Sequence, residues 1–154
     1  MQQPIPIDLV RLVAVMRQGD KSIKYLNRTT GAILDGGDLE RLRRGLDADG
    51  IMKMMSTMIE VPKTDSRTVF QWMREWLNTD AQKLPDPRFV DDLLDTLNGD
   101  GAFRRFKNAL SQPGRGPWSV SWDGYRHKML CERARLWLAQ SGIEYRELDA
   151  SAAA

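Results

Sequence analysis

The segment Ile23–Leu34 reads IKYLNRTTGAIL, and it decides the fold class. Apolar, aromatic and β-branched residues flank the turn-forming run Asn27–Gly31, a pattern typical of two strands joined by a hairpin loop. Gly31 can supply the positive φ that a bulged hairpin loop requires. The segment therefore predicts a β-hairpin. Met58–Val61 is a candidate third strand at an edge, because Pro62 cannot extend a hydrogen-bonded ladder.

Helical periodicity predicts the elements on either side of the hairpin. Apolar residues spaced along one helical face predict a helix over about residues 8–18, with Asp8 as its N-cap and Gly19 at its end. Asp86-Pro87 is a helix start signal, because an N-cap aspartate is followed by proline at the first helical position. Further helices are predicted to begin at Thr64 or Asp65, at Asp100-Gly101 and near Asp123.

The order of these elements predicts an α+β fold, because the strands come early and the helices late instead of alternating. We expect a small antiparallel sheet, made of the hairpin plus one or two further strands, packed against about four to five helices. Ile143–Leu148 is a candidate for the last strand. We predict a single α+β domain over residues 1–149, with a mobile insertion containing one short helix at 35–57 and a frayed tail at 150–154.

Composition places the chain among globular proteins of a reducing compartment. The chain has 154 residues, of which 42% are hydrophobic and 29% charged, as expected of one ordinary domain. Its single cysteine cannot form an intrachain disulfide. We see no signal peptide and no run approaching the roughly 20 apolar residues of a membrane span. These features predict a cytoplasmic protein without a membrane partner.

Charge is distributed unevenly in the second half of the chain. The overall net charge is only +2. Residues 86–100 contain five aspartates against Arg88, a net charge of −4, whereas residues 101–135 contain eight basic residues against Asp123 and Glu132, a net charge of +6. Such an asymmetry can mark an interaction surface.

The first candidate site is the block GAFRRFK at residues 101–107. Phe103 and Phe106 are three residues apart and are predicted to enter the core together, which directs Arg104, Arg105 and Lys107 elsewhere. Free N–H groups at the helix start, together with the arginines, can bind phosphate or carboxylate. In the alternative interpretation, these cations pair with aspartates of the preceding helix, namely Asp91, Asp92 and Asp95.

The second candidate site is the aromatic and basic segment at residues 115–128. Its two tryptophans are four residues apart and share one side whether the segment is helical or extended. Indole rings beside cations suit a protein contact or single-stranded nucleic acid, and they equally suit core packing under a loop. The residues concerned are Arg115, Trp118, Trp122, Tyr125, Arg126 and Lys128.

No pattern in the sequence indicates catalysis, a metal ion or a cofactor. His127 and Cys131 can share a helix face, but two such residues make neither a metal site nor an activated dyad without further groups. The glycines match no phosphate-binding or nucleophile-elbow pattern. A methionine cluster is predicted to fill core gaps. Its members are Met52, Met54, Met55 and Met58.

These residues resemble a known family in three places. Tyr25–Ile33 resembles the hairpin signature Tyr-Leu-Asp/Asn-x-x-Thr-Gly-x-Val of the bacterial proteins called uncharacterised protein family 0158. Gly101–Leu110 resembles that family's most distinctive block, and the region of Trp118 and Trp122 followed by Arg133–Leu138 is similar to its C-terminal helix. The resemblance extends from Ile7 to about Tyr145, although Asp35–Ser56 does not align. It implies a small bacterial protein, and it supplies no reaction, ligand or catalytic residue.

We therefore expect a non-enzymatic binding or regulatory protein that acts through a protein–protein contact on a basic, Trp-flanked surface. Two alternatives use overlapping residues. One is a nucleic-acid-binding protein, and the other is a sensor of a nucleotide or other phosphorylated small molecule at the helix start of residues 100–105. The predicted contact residues are Arg104, Arg105, Lys107, Arg115, Trp118, Trp122, Tyr125 and Arg126.

Overall fold

A computed structural model describes residues 3–17 and 22–148, and these residues form a mixed α+β fold. The described residues contain seven α-helices, one 3-10 helix and five short strands, so the predicted fold class is confirmed although the helices outnumber the prediction. The chain divides into two compact units. The first unit comprises the described residues up to Lys63 and from Leu130 onwards, and the second unit comprises Thr64–Met129.

The predicted hairpin supplies two strands of a three-stranded antiparallel sheet in the first unit, and its first strand is central. Strand β2 (Lys24–Asn27) pairs with β3 (Ile33–Asp35) on one side and with β4 (Met58–Glu60) on the other. Gly31 has a φ of +80°, and a Cβ at this position would overlap the carbonyl oxygen of Pro6. Both the hairpin and the third edge strand are therefore confirmed.

A second, parallel pair of strands joins the two ends of the chain. Strand β1 (Ile5–Ile7) pairs with β5 (Tyr145–Glu147) in parallel register. The last strand was predicted from the sequence, but its partner was not. Helix α1 (Leu9–Arg17) follows β1, and the Asp8 carboxylate accepts from its backbone at Arg11 as predicted. The predicted helix end at Gly19 lies outside the described residues, as does the predicted tail at 150–154.

The segment predicted to hold one short helix contains two. Helix α2 (Gly36–Arg43) begins with a capping box in which the carboxylates of Asp35 and Asp38 each accept the other residue's backbone N–H. Helix α3 (Ala48–Ser56) is capped by Asp47. The methionines of this segment do not fill a core, because Met52 is 73% exposed and α3 has no buried residue. The predicted core role of the cluster is therefore wrong for α3.

The second unit is helical throughout. The predicted caps are present at Asp65, which accepts from Thr68 N, and at Asp86, which accepts from Phe89 N. The last helix begins at Gly116, seven residues before the predicted start at Asp123, and its residues from Leu130 onwards belong to the first unit. The elements are α4 (Ser66–Asn78), a 3-10 helix (Asp80–Lys83), α5 (Pro87–Thr96), α6 (Ala102–Leu110) and α7 (Gly116–Gln140).

Candidate functional site

The two tryptophans of the predicted contact surface are buried. Trp118 and Trp122 are only 4% and 5% exposed. Trp118 packs edge-on against Phe89, with ring centroids 5.0 Å apart, and Trp122 packs against Trp76 at 5.6 Å. The prediction that these rings emerge into solvent is wrong, because the first turns of α7 point them at rings from other helices of the second unit. The alternative of core packing is confirmed.

The polar residues around these tryptophans have partners within the second unit. The Arg115 guanidinium lies 2.8 Å from the Asp86 carboxylate and 3.7 Å above the Phe89 ring. A hydrogen bond from Arg115, supported by the backbone N–H of Phe89, holds the pKa of Asp86 below its ordinary value of 3.8. These contacts make Arg115 part of the scaffold.

Arg126 and Tyr125 are engaged in a similar way. Arg126 pairs with Asp123 at 2.9 Å, and its guanidinium carbon lies 5.7 Å from the centre of the Trp122 ring. The Tyr125 hydroxyl donates to a Glu75 carboxylate oxygen at 3.2 Å. The predicted Trp-flanked surface is therefore occupied by its own internal contacts.

Arg105 is also used within the protein, at the junction between α5 and α6. Its guanidinium donates to the backbone carbonyls of Asn98 and Asp100. The N-cap of α6 is Gly101, at a φ of +77°, so the helix begins at the predicted Asp100-Gly101 pair. Among the described residues, no side chain caps the N-terminal end of α6. The nearby Arg105 guanidinium is already bound to carbonyl oxygens. This geometry does not favour the predicted anion site at residues 100–105.

Arg104 and Lys107 differ from the other predicted cations. Both are exposed, and within the described parts of the chain neither side chain makes a hydrogen bond or an ion pair. The predicted pairing of these cations with the aspartates of α5 is therefore absent from the described residues. The charges of Arg104 and Lys107 remain available to another molecule.

An aromatic ring lies beside these free cations. Phe103, predicted to enter the core with Phe106, is instead 40% exposed. The buried line of α6 runs through Ala102, Phe106 and Leu110, and successive residues of a helix are about 100° apart, so Phe103 lies off that line. Its ring meets the half-buried Phe70 of α4 edge-on, with centroids 6.3 Å apart.

The cations of α4 extend this surface. Arg74 places its guanidinium carbon 5.9 Å from the Phe70 ring centre. Arg67 is exposed and lies three residues before Phe70, on the same helix face. The spacing of Arg67, Phe70 and Arg74 by three and four residues is the sequence signal that indicates this surface, and the prediction from the sequence did not use it. The basic-aromatic surface comprises Arg67, Phe70, Arg74, Phe103, Arg104 and Lys107.

An acidic row accompanies the basic-aromatic surface on the helix next to α6. Asp91, Asp92 and Asp95 are exposed on α5 and make no ion pair among the described residues. Their spacing of three and four residues places them on one helix face. The contacting helices α5 and α6 therefore present unpaired charges of opposite sign, which is the charge asymmetry of the sequence expressed on the surface.

A cysteine nucleophile and a metal site were considered from the sequence, and the described residues bear on both. Burial raises the pKa of the Cys131 thiol, which disfavours the thiolate that a nucleophile requires. Within residues 3–17 and 22–148, no three His, Cys, Asp or Glu side chains are grouped to hold a metal ion. Among the helices of the described residues, none combines the length and apolar character needed to cross a membrane.

Comparison with known proteins adds no relative. No protein-family model, curated protein or solved structure matches the chain. The resemblance to uncharacterised protein family 0158 therefore stays a prediction, and the function has to be inferred from the geometry of the described residues.

Proposed function

We propose that this chain is a non-enzymatic binding protein whose basic-aromatic surface contacts an acidic partner protein. The observation that carries the proposal is the contrast within α6. Arg105 donates to backbone carbonyls, whereas Arg104 and Lys107 are exposed beside the exposed Phe103 and have no partner in the described part of the chain. Arginine and aromatic side chains dominate the energetics of protein interfaces. Free cations around such rings speed association with an acidic surface.

The neighbouring acidic row favours a protein over a nucleic acid. Three carboxylates on α5, which have no ion-pair partner among the described residues, repel a phosphate backbone that is negative along its whole length. A partner protein with an acidic patch opposite the cations can still place basic residues opposite this row. The tryptophans that would have stacked on bases are buried, and Phe70 and Phe103 already present their rings to each other. Binding of a nucleic acid to this surface is therefore treated as the contrary result in the experiment below.

We also propose a cytoplasmic location and a bacterial origin. The single cysteine suits a reducing compartment. The three blocks that resemble uncharacterised protein family 0158 support the origin. We further propose that this binding has a regulatory role.

Quantitative affinity capture tests the proposal. The full chain, the double variant Arg104→Glu/Lys107→Glu and the control Arg43→Glu/Arg44→Glu are compared as baits. The control reverses two exposed charges of the first unit that have no ion-pair partner among the described residues. We expect a reproducible acidic partner whose purified form binds the first variant roughly tenfold or more weakly than the control, because like charges now meet at the contact.

Two results would contradict the proposal. One is equal retention of every captured protein by the two double variants. The other is tight, salt-dependent binding of RNA or DNA oligonucleotides that is lost in Arg104→Glu/Lys107→Glu, since that would assign the surface to nucleic acid.

A further inference from the structure

The first unit contains a small open cavity that no sequence motif indicated. Its volume is about 230 Å³, and it is lined by the hairpin loop, by β1 and by the residues at and after the C-terminal ends of α3 and α7. Pockets for drug-sized ligands occupy roughly 300–1,000 Å³. The cavity therefore suits a smaller molecule, and its charged lining residues, Arg28 and Glu144, indicate which kind.

Arg28 is held at the cavity by a fixed loop. The Asn27 side chain accepts from the backbone N–H groups of Thr29 and Thr30, at 2.8 and 3.1 Å. The backbone N–H of Arg28 donates to the Thr57 carbonyl at 2.7 Å, and one guanidinium nitrogen donates to the Ser141 carbonyl at 3.3 Å. No carboxylate of the described residues pairs with Arg28. Its remaining N–H groups can bind a carboxylate.

Acceptor atoms occupy another part of the lining. The hydroxyls of Ser56 and Thr57 donate to carbonyls of the preceding helical turn, both at 2.6 Å, which leaves their oxygens free to accept. The C-terminal ends of α3 and α7 carry the negative ends of their helix dipoles. Glu144 is exposed and, within the described residues, has no ion-pair partner. These groups favour an ammonium ion.

We propose that this cavity binds a free α-amino acid. Arg28 binds its carboxylate, and Glu144 with the two hydroxyl oxygens binds its ammonium group. A plain anion would face Glu144 and two helix C-termini, and a plain cation would face Arg28, so the zwitterion is the charge pattern that satisfies both. Ile5 and Ile143 give the cavity an apolar side suited to a small aliphatic side chain. The inference concerns the first unit and is independent of the proposed protein contact.

Calorimetric titration of the full chain tests the site. The probes are individual L-amino acids at millimolar concentrations, each accompanied by its N-acetyl and its carboxamide derivative. We expect a small aliphatic amino acid to bind, and each derivative to bind roughly tenfold or more weakly, because each lacks one charge-assisted contact. Failure of every L-amino acid to bind would overturn the proposal.

Two variants locate the binding within the cavity. Arg28→Gln and Glu144→Gln should each weaken binding roughly tenfold or more, whereas Arg43→Gln and Glu40→Gln, which alter exposed residues of α2 outside the cavity, should leave it unchanged. If Arg28→Gln loses its fold by circular dichroism, Glu144→Gln decides the question. An affinity of Glu144→Gln equal to that of the unaltered chain would overturn the proposal.

Discussion

Two parts of the second unit contain nearly the same residue types and use them differently. Arg115–Arg126 combines tryptophans, a tyrosine and arginines, but its tryptophan rings are in the core and its arginines lie against Asp86 and Asp123. The basic-aromatic surface combines phenylalanines with arginines and a lysine, and its α6 cations have no partner in the described residues. The comparison shows that cations beside aromatic rings are held by internal ion pairs in one region, whereas in the other the α6 cations have no partner among the described residues.

The largest difference between the two regions is expected in stability. Trp122→Ala should lower the free energy of unfolding by about 3–5 kcal/mol, because it removes a buried ring that contacts Trp76 and Phe106. Phe103→Ala should cost about 1 kcal/mol or less, because that ring is partly exposed and contributes mainly its edge contact with Phe70. Urea unfolding followed by circular dichroism measures both. Equal losses of unfolding free energy in the two variants would contradict the difference in burial between the two rings.

A smaller effect is expected from the ion pair of Arg115 with Asp86. The folded-state pKa of Asp86 lies below 3.8, so the unfolded chain takes up the proton more readily. The ionised Asp86 carboxylate therefore stabilises the fold fully above the unfolded-state pKa, and this stabilisation is lost as the pH falls through the lower folded-state pKa. Arg115→Met should lower the melting temperature near neutral pH, and should lose less further stability than the unaltered chain on acidification.

Melting curves recorded from neutral pH down to about pH 2 check this expectation, since that range passes below the ordinary aspartate pKa. Arg104→Met is the matched control, because Arg104 makes no ion pair among the described residues. Its curve should parallel that of the unaltered chain. An Arg115→Met curve that also runs parallel would contradict the assignment of Arg115 to the scaffold.

Local signals in the sequence were sufficient for much of the fold. The hairpin needed only its turn residues and Gly31, and the caps at Asp65 and Asp86 needed only a short side chain before a helical pattern. The parallel pair of β1 and β5 could not be predicted in the same way. It joins two three-residue strands from opposite ends of the chain, and one of them contains Pro6, so no local pattern reports the pairing.

The candidate site could be predicted only in part. Arg104 and Lys107 were identified, but the spacing of Phe103 and Phe106 did not show which ring faces the core. That choice depends on the line through Ala102 and Leu110, along which α6 is buried. Likewise, the four-residue spacing of Trp118 and Trp122 placed them on one side of a helix without showing what covers that side. Burial is set by elements distant in sequence, and a single segment does not encode it.

Photo-crosslinking from one position in each region tests whether the basic-aromatic surface, and not the Trp-containing segment, contacts the partner protein. A benzoylphenylalanine is placed at Phe103 of the basic-aromatic surface or at Val120, which is 72% exposed on α7 within the Trp-containing segment. Each chain is irradiated with the captured partner, and crosslinked peptides are identified by mass spectrometry. We expect crosslinks from position 103 and none from position 120. Crosslinks from position 120 alone would contradict this expectation.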